Sequence, residues 1–389
     1  MVRMRFGVWV LFLFLLPCRA AGGEQIVYIV STGENRPLPL IQHTKVYAID
    51  PDTGREHLMF SDRNLPILLL PGFAFGGLSD CAASGGSRIF ARGVERSRYQ
   101  GGYHTFPASV FELTGGDSGV PRKIFDIPGR YGSSNFRQLF ASPSGDKVGY
   151  TNYLDTYVLV VHASNTGKIL HSIQLAPILR DCFVESIGWM PNGKRLFFTA
   201  ATGDEHVTSD EAYALAGSYV MNEDGSGVAR LPRNIAASQP RKGYRLNSGE
   251  WPVLQGVLPD GRYLFNEYRF QQGPPYESRT FLYTVNPASR TRRDLIEARN
   301  SMRALISPSG RRVLIGGDYR EGQPQSVRVL NLDTGAERRL PVDSDGPIWR
   351  AVAGWVSNYS AEGPRTEAPR GPGSQSLGSG HAPTGRTPP

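Results

Sequence analysis

Short apolar runs of four to eight residues recur along the chain, each bounded by Pro, Asp, Asn or Gly, and this spacing predicts strands joined by tight turns. One turn repeats most clearly. It reads Ser142-Pro143-Ser144-Gly145-Asp146-Lys147, then Met190-Pro191-Asn192-Gly193-Lys194-Arg195, Leu258-Pro259-Asp260-Gly261-Arg262 and Ser307-Pro308-Ser309-Gly310-Arg311-Arg312. The prolines lie 48, 68 and 49 residues apart. Pro fixes the backbone angle at the turn entry and Gly supplies the positive angle near its end. Each turn leads into an apolar strand, such as Arg195-Leu196-Phe197-Phe198 or Arg312-Val313-Leu314-Ile315.

A second signal alternates with the first. Hairpins with Asp, Asn and Gly at the reversal appear at Val46–Arg55, Val160–Lys168, Tyr219–Gly227, Leu282–Arg290 and Val329–Gly335, with a weaker copy over Val110–Phe125. Together the two signals make a unit of four short strands, and six such units are predicted. The first takes its last three strands from 25–60, and the others start near 64, 134, 182, 249 and 301. The second unit is the poorest copy: Leu65–Phe75 and Ser87–Ala91 are its expected first strands, with no Pro-x-Gly turn between them. The first unit lacks a central strand of its own, and Ile348–Val356 supplies one, its Gly354-Trp355-Val356-Ser357-Asn358 echoing Gly188-Trp189-Met190-Pro191-Asn192. The expected fold class is therefore all-β: a six-bladed β-propeller of four-stranded blades, closed by pairing of the N- and C-terminal strands, which removes an open sheet edge.

The Pro-x-Gly-Lys/Arg turn after a Trp-bearing strand, alternating with the Asn/Asp-rich hairpin, resembles the TolB-like (WD-like) propeller repeat over roughly residues 25–358. Ala141, Val257 and Ile306 stand where that repeat carries Trp. The resemblance implies a six-bladed propeller in the periplasm or outside the cell, and a role in the envelope through protein contacts.

Composition narrows the function classes. The chain has 389 residues, with 45 Gly and 29 Pro, which suits many tight turns. Arg3 and Arg5, the apolar run Phe6–Leu16 and the small residues Ala20 and Ala21 read as a signal peptide over 1–20. The propeller is then expected over 21–358 and a disordered Pro/Gly/Ser-rich tail over 359–389. No later segment is apolar enough to span a membrane, so none is expected after cleavage. The formal charge of +8 falls to +5 without the three leader arginines. Spread over so large a domain, that charge predicts no nucleic-acid partner. Cys81 and Cys182 fall in non-adjacent units, which argues against a disulfide between them.

No Gly-x-Ser-x-Gly elbow is present, and the seven histidines form no closely spaced ligand pair, so no catalytic residue, metal or cofactor is assigned. The Asp204–Glu211 run lacks the glycine and spacing of a calcium loop and reads as a solvated loop. Two surfaces are candidates for binding. The central strands carry Arg137, Gln138, Glu185, Ser186, Glu250, Arg303 and Arg350, polar groups that suit a watery channel mouth, with mutual pairing across the channel as the alternative. Long loops between second and third strands, at 92–107, 202–217 and 269–279, cluster at one rim. They hold Arg96, Arg98, Tyr99 and Tyr103, together with Tyr213, Phe270 and Tyr276, residue types suited to protein or glycan contact, with packing of each loop on itself as the alternative.

The expectation is an exported, monomeric, non-catalytic propeller that binds a protein or a cell-envelope polymer. The alternatives are a metal-dependent six-bladed enzyme of the lactonase or polysaccharide-acting sort, and an accessory subunit of a separate hydrolase.

Overall fold

The computed structural model describes residues 23–34, 40–70, 81–84, 86–98, 108–113, 120–127, 136–153, 157–179, 182–202, 214–232, 235, 244–245, 252–274, 277–299, 303–320, 323–340 and 348–357. Strands β1 (Gln25–Glu34), β2 (Leu40–Ile49) and β3 (Glu56–Ser61) belong to blade one. Blade two holds β4 (Ile67–Leu69), β5 (Cys81–Ala83), β6 (Ile89–Glu95), β7 (Ala108–Leu113) and β8 (Arg122–Ile127). Blade three is β9 (Phe136–Ala141), β10 (Lys147–Tyr153), β11 (Tyr157–Ala163) and β12 (Ile169–Gln174). Blade four is β13 (Cys182–Trp189), β14 (Arg195–Thr202), β15 (Gly217–Asn222) and β16 (Ala229–Arg230). Blade five holds β17 (Tyr244–Arg245), β18 (Val253–Val257), β19 (Tyr263–Gln271), β20 (Ser278–Val285) and β21 (Arg292–Arg299). Blade six is β22 (Arg303–Ile306), β23 (Arg312–Arg320), β24 (Gln323–Asn331) and β25 (Glu337–Leu340). The last strand, β26 (Ile348–Val356), pairs antiparallel with β1, so Ile26 faces Trp355 and Val30 faces Arg350.

The ring is therefore a closed six-bladed β-propeller, and the terminal strand fills the place that the repeat left empty. Around the axis, each innermost strand touches the next: β5, β9, β13, β18, β22, β26 and back to β5. The buried apolar residues group into six clusters, and each cluster lies between two consecutive blades. This follows from the two-faced strand: an inner or middle strand alternates its side chains between the sheets on either side. The seam between blades six and one is built from Tyr28, Leu314, Leu340 and Trp355, among others. At roughly 2 kcal/mol or more for each large buried side chain, that seam is a main source of closure energy.

The turns and hairpins share one end of the blades, here called the turn face. The loops between second and third strands share the other, the loop face. At three joints a basic residue reaches across the turn face to the next blade. Lys147 Nζ meets Glu223 Oε2 of blade four at 2.5 Å, Arg312 Nη2 meets Asp52 of blade one at 2.8 Å, and Arg88 donates to the Gly145 carbonyl and Ser164 hydroxyl of blade three at 2.6 Å. Nearer the axis, polar side chains staple innermost strands that do not pair with each other. Gln138 Nε2 donates to the Ile187 carbonyl (3.0 Å), the Ser186 hydroxyl to the Leu254 carbonyl (2.7 Å), and the Ala304 amide to Gln255 Oε1 (3.1 Å). Trp355 Nε1 completes the series on the Leu305 carbonyl at 2.9 Å.

Two blades depart from the expected pattern. In blade two the innermost strand is split, β4 pairing with one end of β6 and β5 with the other. In blade five β17 pairs with the far end of β19, a strand with no signal in the repeat. The third expected rim loop is also shorter than 269–279, because Arg269 faces Arg279 and Phe270 faces Ser278 in the β19–β20 ladder. No helix among the described residues is long and apolar enough to cross a membrane.

Candidate functional site

An axial cavity of about 320 Å³ lies at the turn-face end of the innermost strands. Its position follows from the repeat. Each Pro-x-Gly turn brings its proline to the axis, so Pro143, Pro191, Pro259 and Pro308 stand around the cavity. Below them, innermost strands from all six blades contribute the wall, with Phe140, Trp189, Leu305 and Trp355 as large apolar groups. Among the described residues, the polar lining side chains are Gln138, Gln255 and Ser307, and none of the lining residues is charged. Gln138 is 6% exposed, and its Oε1 has no hydrogen-bond partner, while its Nε2 is spent on the inter-blade staple. Trp189 Nε1 is likewise buried without an acceptor, in contrast to Trp355 Nε1 at the equivalent place in its strand. A buried acceptor and a buried donor left open in an apolar cavity are both costly unless a ligand or water meets them.

The polar residues of the inner strands fall elsewhere. Arg137 and Glu185 occupy matching β-bulges, where β9 and β13 each carry one extra residue against β10 and β14. The bulge turns Glu185 out to an exposed position. Arg303 and Arg350 lie towards the loop-face ends of β22 and β26, opposite Gly316 and Val30. Glu250 lies outside the described residues. Gln138 lines the axial cavity, and Ser186 is buried in its staple to Leu254.

Among the loop residues, Arg96 starts a one-turn 3-10 helix (Arg96–Arg98) that also holds Arg98. Arg96 is tied inward: its guanidinium donates to the Leu65 and Asp62 carbonyls at 3.1 and 2.8 Å and lies 3.3 Å from the Asp62 carboxylate. Phe270 is half-buried in β19 with its ring edge-on to Tyr268. Tyr99, Tyr103, Tyr213 and Tyr276 lie outside the described residues. The cavity itself was missed in the sequence reading. Its signal was present in the proline spacing, because turns that recur in register around a ring must converge on the axis.

These features define a closed six-bladed propeller with an apolar axial cavity on its turn face. The fold is that of a TolB-like propeller. The chain is similar to the crystal structure of TolB from Acinetobacter baumannii at 14% identity and a TM-score of 0.51, covering 85% of this chain and 67% of that one. A protein assigned to TolB in Agrobacterium tumefaciens matches at 13% identity and a TM-score of 0.45, over 86% of this chain and 92% of that one. An oligogalacturonate lyase in complex with manganese matches at 13% identity and a TM-score of 0.38, over 82% and 85%. No protein-family model and no curated protein matches the chain.

Proposed function

We propose that this protein is an exported, non-catalytic binding module that takes an apolar group of a protein partner into the axial cavity. The observation that carries this reading is the composition of the cavity wall: large apolar side chains, a buried Gln138 Oε1 without a donor, and no charged group among the described lining residues. Such a wall offers desolvation and one or two oriented hydrogen bonds, which is what a recognition pocket needs. Its described lining residues include no acid or base. Its size falls at the low end of the ~300–1,000 Å³ common for ligand pockets. Export rests on the leader-like residues 1–20, with the propeller over 21–358 and the Pro/Gly/Ser-rich tail following. The loop face, with Arg137, Glu185, Arg303 and Arg350 on its inner strands, is proposed as a secondary contact surface.

The test is Ala141→Trp, which puts a Trp at the place held by Trp189 and Trp355 in other blades and fills the cavity. Capture of partners from an envelope extract should fall at least tenfold while the melting temperature holds. A variant with Arg137, Glu185, Arg303 and Arg350 changed to Ala should capture most of what the unmodified protein does. The reverse pattern would move the binding surface to the loop face and end the cavity reading.

A further inference from the structure

The joint between blades four and five lacks an ion pair that two other joints have. At the joints between blades three and four and between blades six and one, the basic residue after the Pro-x-Gly turn meets a carboxylate from the next hairpin: Lys147 meets Glu223, and Arg312 meets Asp52. Arg195 is the corresponding cation in blade four. The hairpin that follows it reads Asn286-Pro287-Ala288-Ser289-Arg290, with Ala288 where blade one has Asp52. Arg195 makes no ion pair among the described residues, and its Nε is buried without an acceptor. Lys194 is its exposed neighbour on the turn.

A second departure lies in the same hairpin. The residue at its left-handed position is Arg290, with φ of 57°, where the corresponding hairpins use Gly54, Gly167, Gly225 and Gly335 at φ of 71–86°. Among the described residues it is the one non-glycine with positive φ. An arginine there costs backbone energy that glycine would avoid. Arg290 is also exposed and makes no ion pair among the described residues. The nearby acids are otherwise engaged: Asp260 pairs with Arg262, and Asp294 with Arg292. This joint thus has no hairpin carboxylate on Arg195 and carries a strained arginine, which leaves Lys194, Arg195 and Arg290 without an ion pair among the described residues.

From this we infer that the joint between blades four and five is a recognition site for a carboxylate side chain of an acidic peptide. The chain itself displays the expected ligand at two joints, Glu223 on Lys147 and Asp52 on Arg312, each a carboxylate delivered from a hairpin turn. Arg195 would hold the carboxylate as Arg312 holds Asp52, and Lys194 and Arg290 would draw an acidic segment towards it. The site lies on the turn face, since Pro191 of the same turn rims the axial cavity, but it does not depend on that cavity.

The experiment is fluorescence anisotropy with a labelled decapeptide of alternating Glu and Ser, against a Gln/Ser control, at low and moderate salt. Binding of the Glu peptide that weakens with salt is expected, with no binding of the control. Ala288→Asp, which supplies the missing carboxylate in cis, should weaken binding about tenfold. Arg290→Gly should weaken it several-fold while raising the melting temperature, so lost binding is not lost folding. Lys123→Ala, on the outer strand of blade two, should change nothing. Equal binding of the Gln peptide, undiminished binding by Ala288→Asp, or no binding to the unmodified protein would overturn the assignment. So would binding of a labelled acidic polysaccharide when the Glu peptide itself does not bind.

Discussion

His162 shows how a single side chain sets pH dependence here. It is 3% exposed, its ring stacks on Phe125 at 3.6 Å, and its Nδ1–H donates to the Gly167 carbonyl at 2.8 Å. Burial holds its pKa below the ordinary 6.5, and the Gly167 bond opposes that only in part. The unfolded chain therefore takes up this proton first. The contribution is complete above about pH 6.5 and falls as the pH drops from there towards the lowered folded value. Asp62 works in the opposite sense. Burial pushes its pKa up from 3.8 to about 6, against hydrogen bonds from the Thr44 and Leu69 amides and the Arg96 guanidinium. Its contribution is complete below the unfolded value and is lost as the pH rises through about 6. Denaturant unfolding between pH 4 and 7.5 should show both: His162→Phe should remove part of the destabilisation seen on acidification, and Asp62→Asn should remove a gain seen below pH 6. Unchanged slopes in both variants would contradict these assignments. Gly167 has a φ of 71°, and a Cβ there would overlap the Ile124 carbonyl of blade two. Gly167→Ala should therefore cost on the order of 3 kcal/mol in the same assay.

At the scale of the strand and turn, Lys147 and Arg312, which follow Pro-x-Gly turns, are best understood as inter-blade clamps. The Lys147–Glu223 pair is partly exposed, 20% and 27% by side chain. Glu223→Gln should thus lower stability by no more than about 1 kcal/mol, with the effect shrinking in high salt. The repeat was legible because its chemistry is local: Pro and Gly at the turn, Asp, Asn or Gly at the hairpin. Ile348–Val356 was read at the bounds that the strand adopts, since an apolar run ending in Gly-Trp-Val repeats the pattern of β13. Legibility failed where structure depends on distant partners. The split inner strand of blade two has no turn signal between its halves, and β17 is a two-residue pairing with no periodicity of its own. The roles of Gln138 and Ser186 were hidden for the same reason. Gln138 lines the axial cavity, but the bonds that Gln138 Nε2 and the Ser186 hydroxyl make run to residues 49 and 68 positions away, which no local pattern signals.

For the whole molecule, closure is the physical basis of everything else. The axial cavity exists because six innermost strands meet in an unbroken ring, and β26 is the member that joins the two ends of the chain. Trp355 is 3% exposed and ties β26 to blade six, while its strand neighbours pair with β1 in blade one. Without β26 the strand edge of β1 would be open and the seam built on Tyr28 and Trp355 would be lost. The decisive comparison is the thermal unfolding of two truncations, one ending at Ser357 and one ending at Pro347. The account predicts that the first melts as the full chain does, and that the second loses its cooperative transition or melts at least 15 °C lower, since several large side chains leave the core. Equal melting of the two truncations would contradict it.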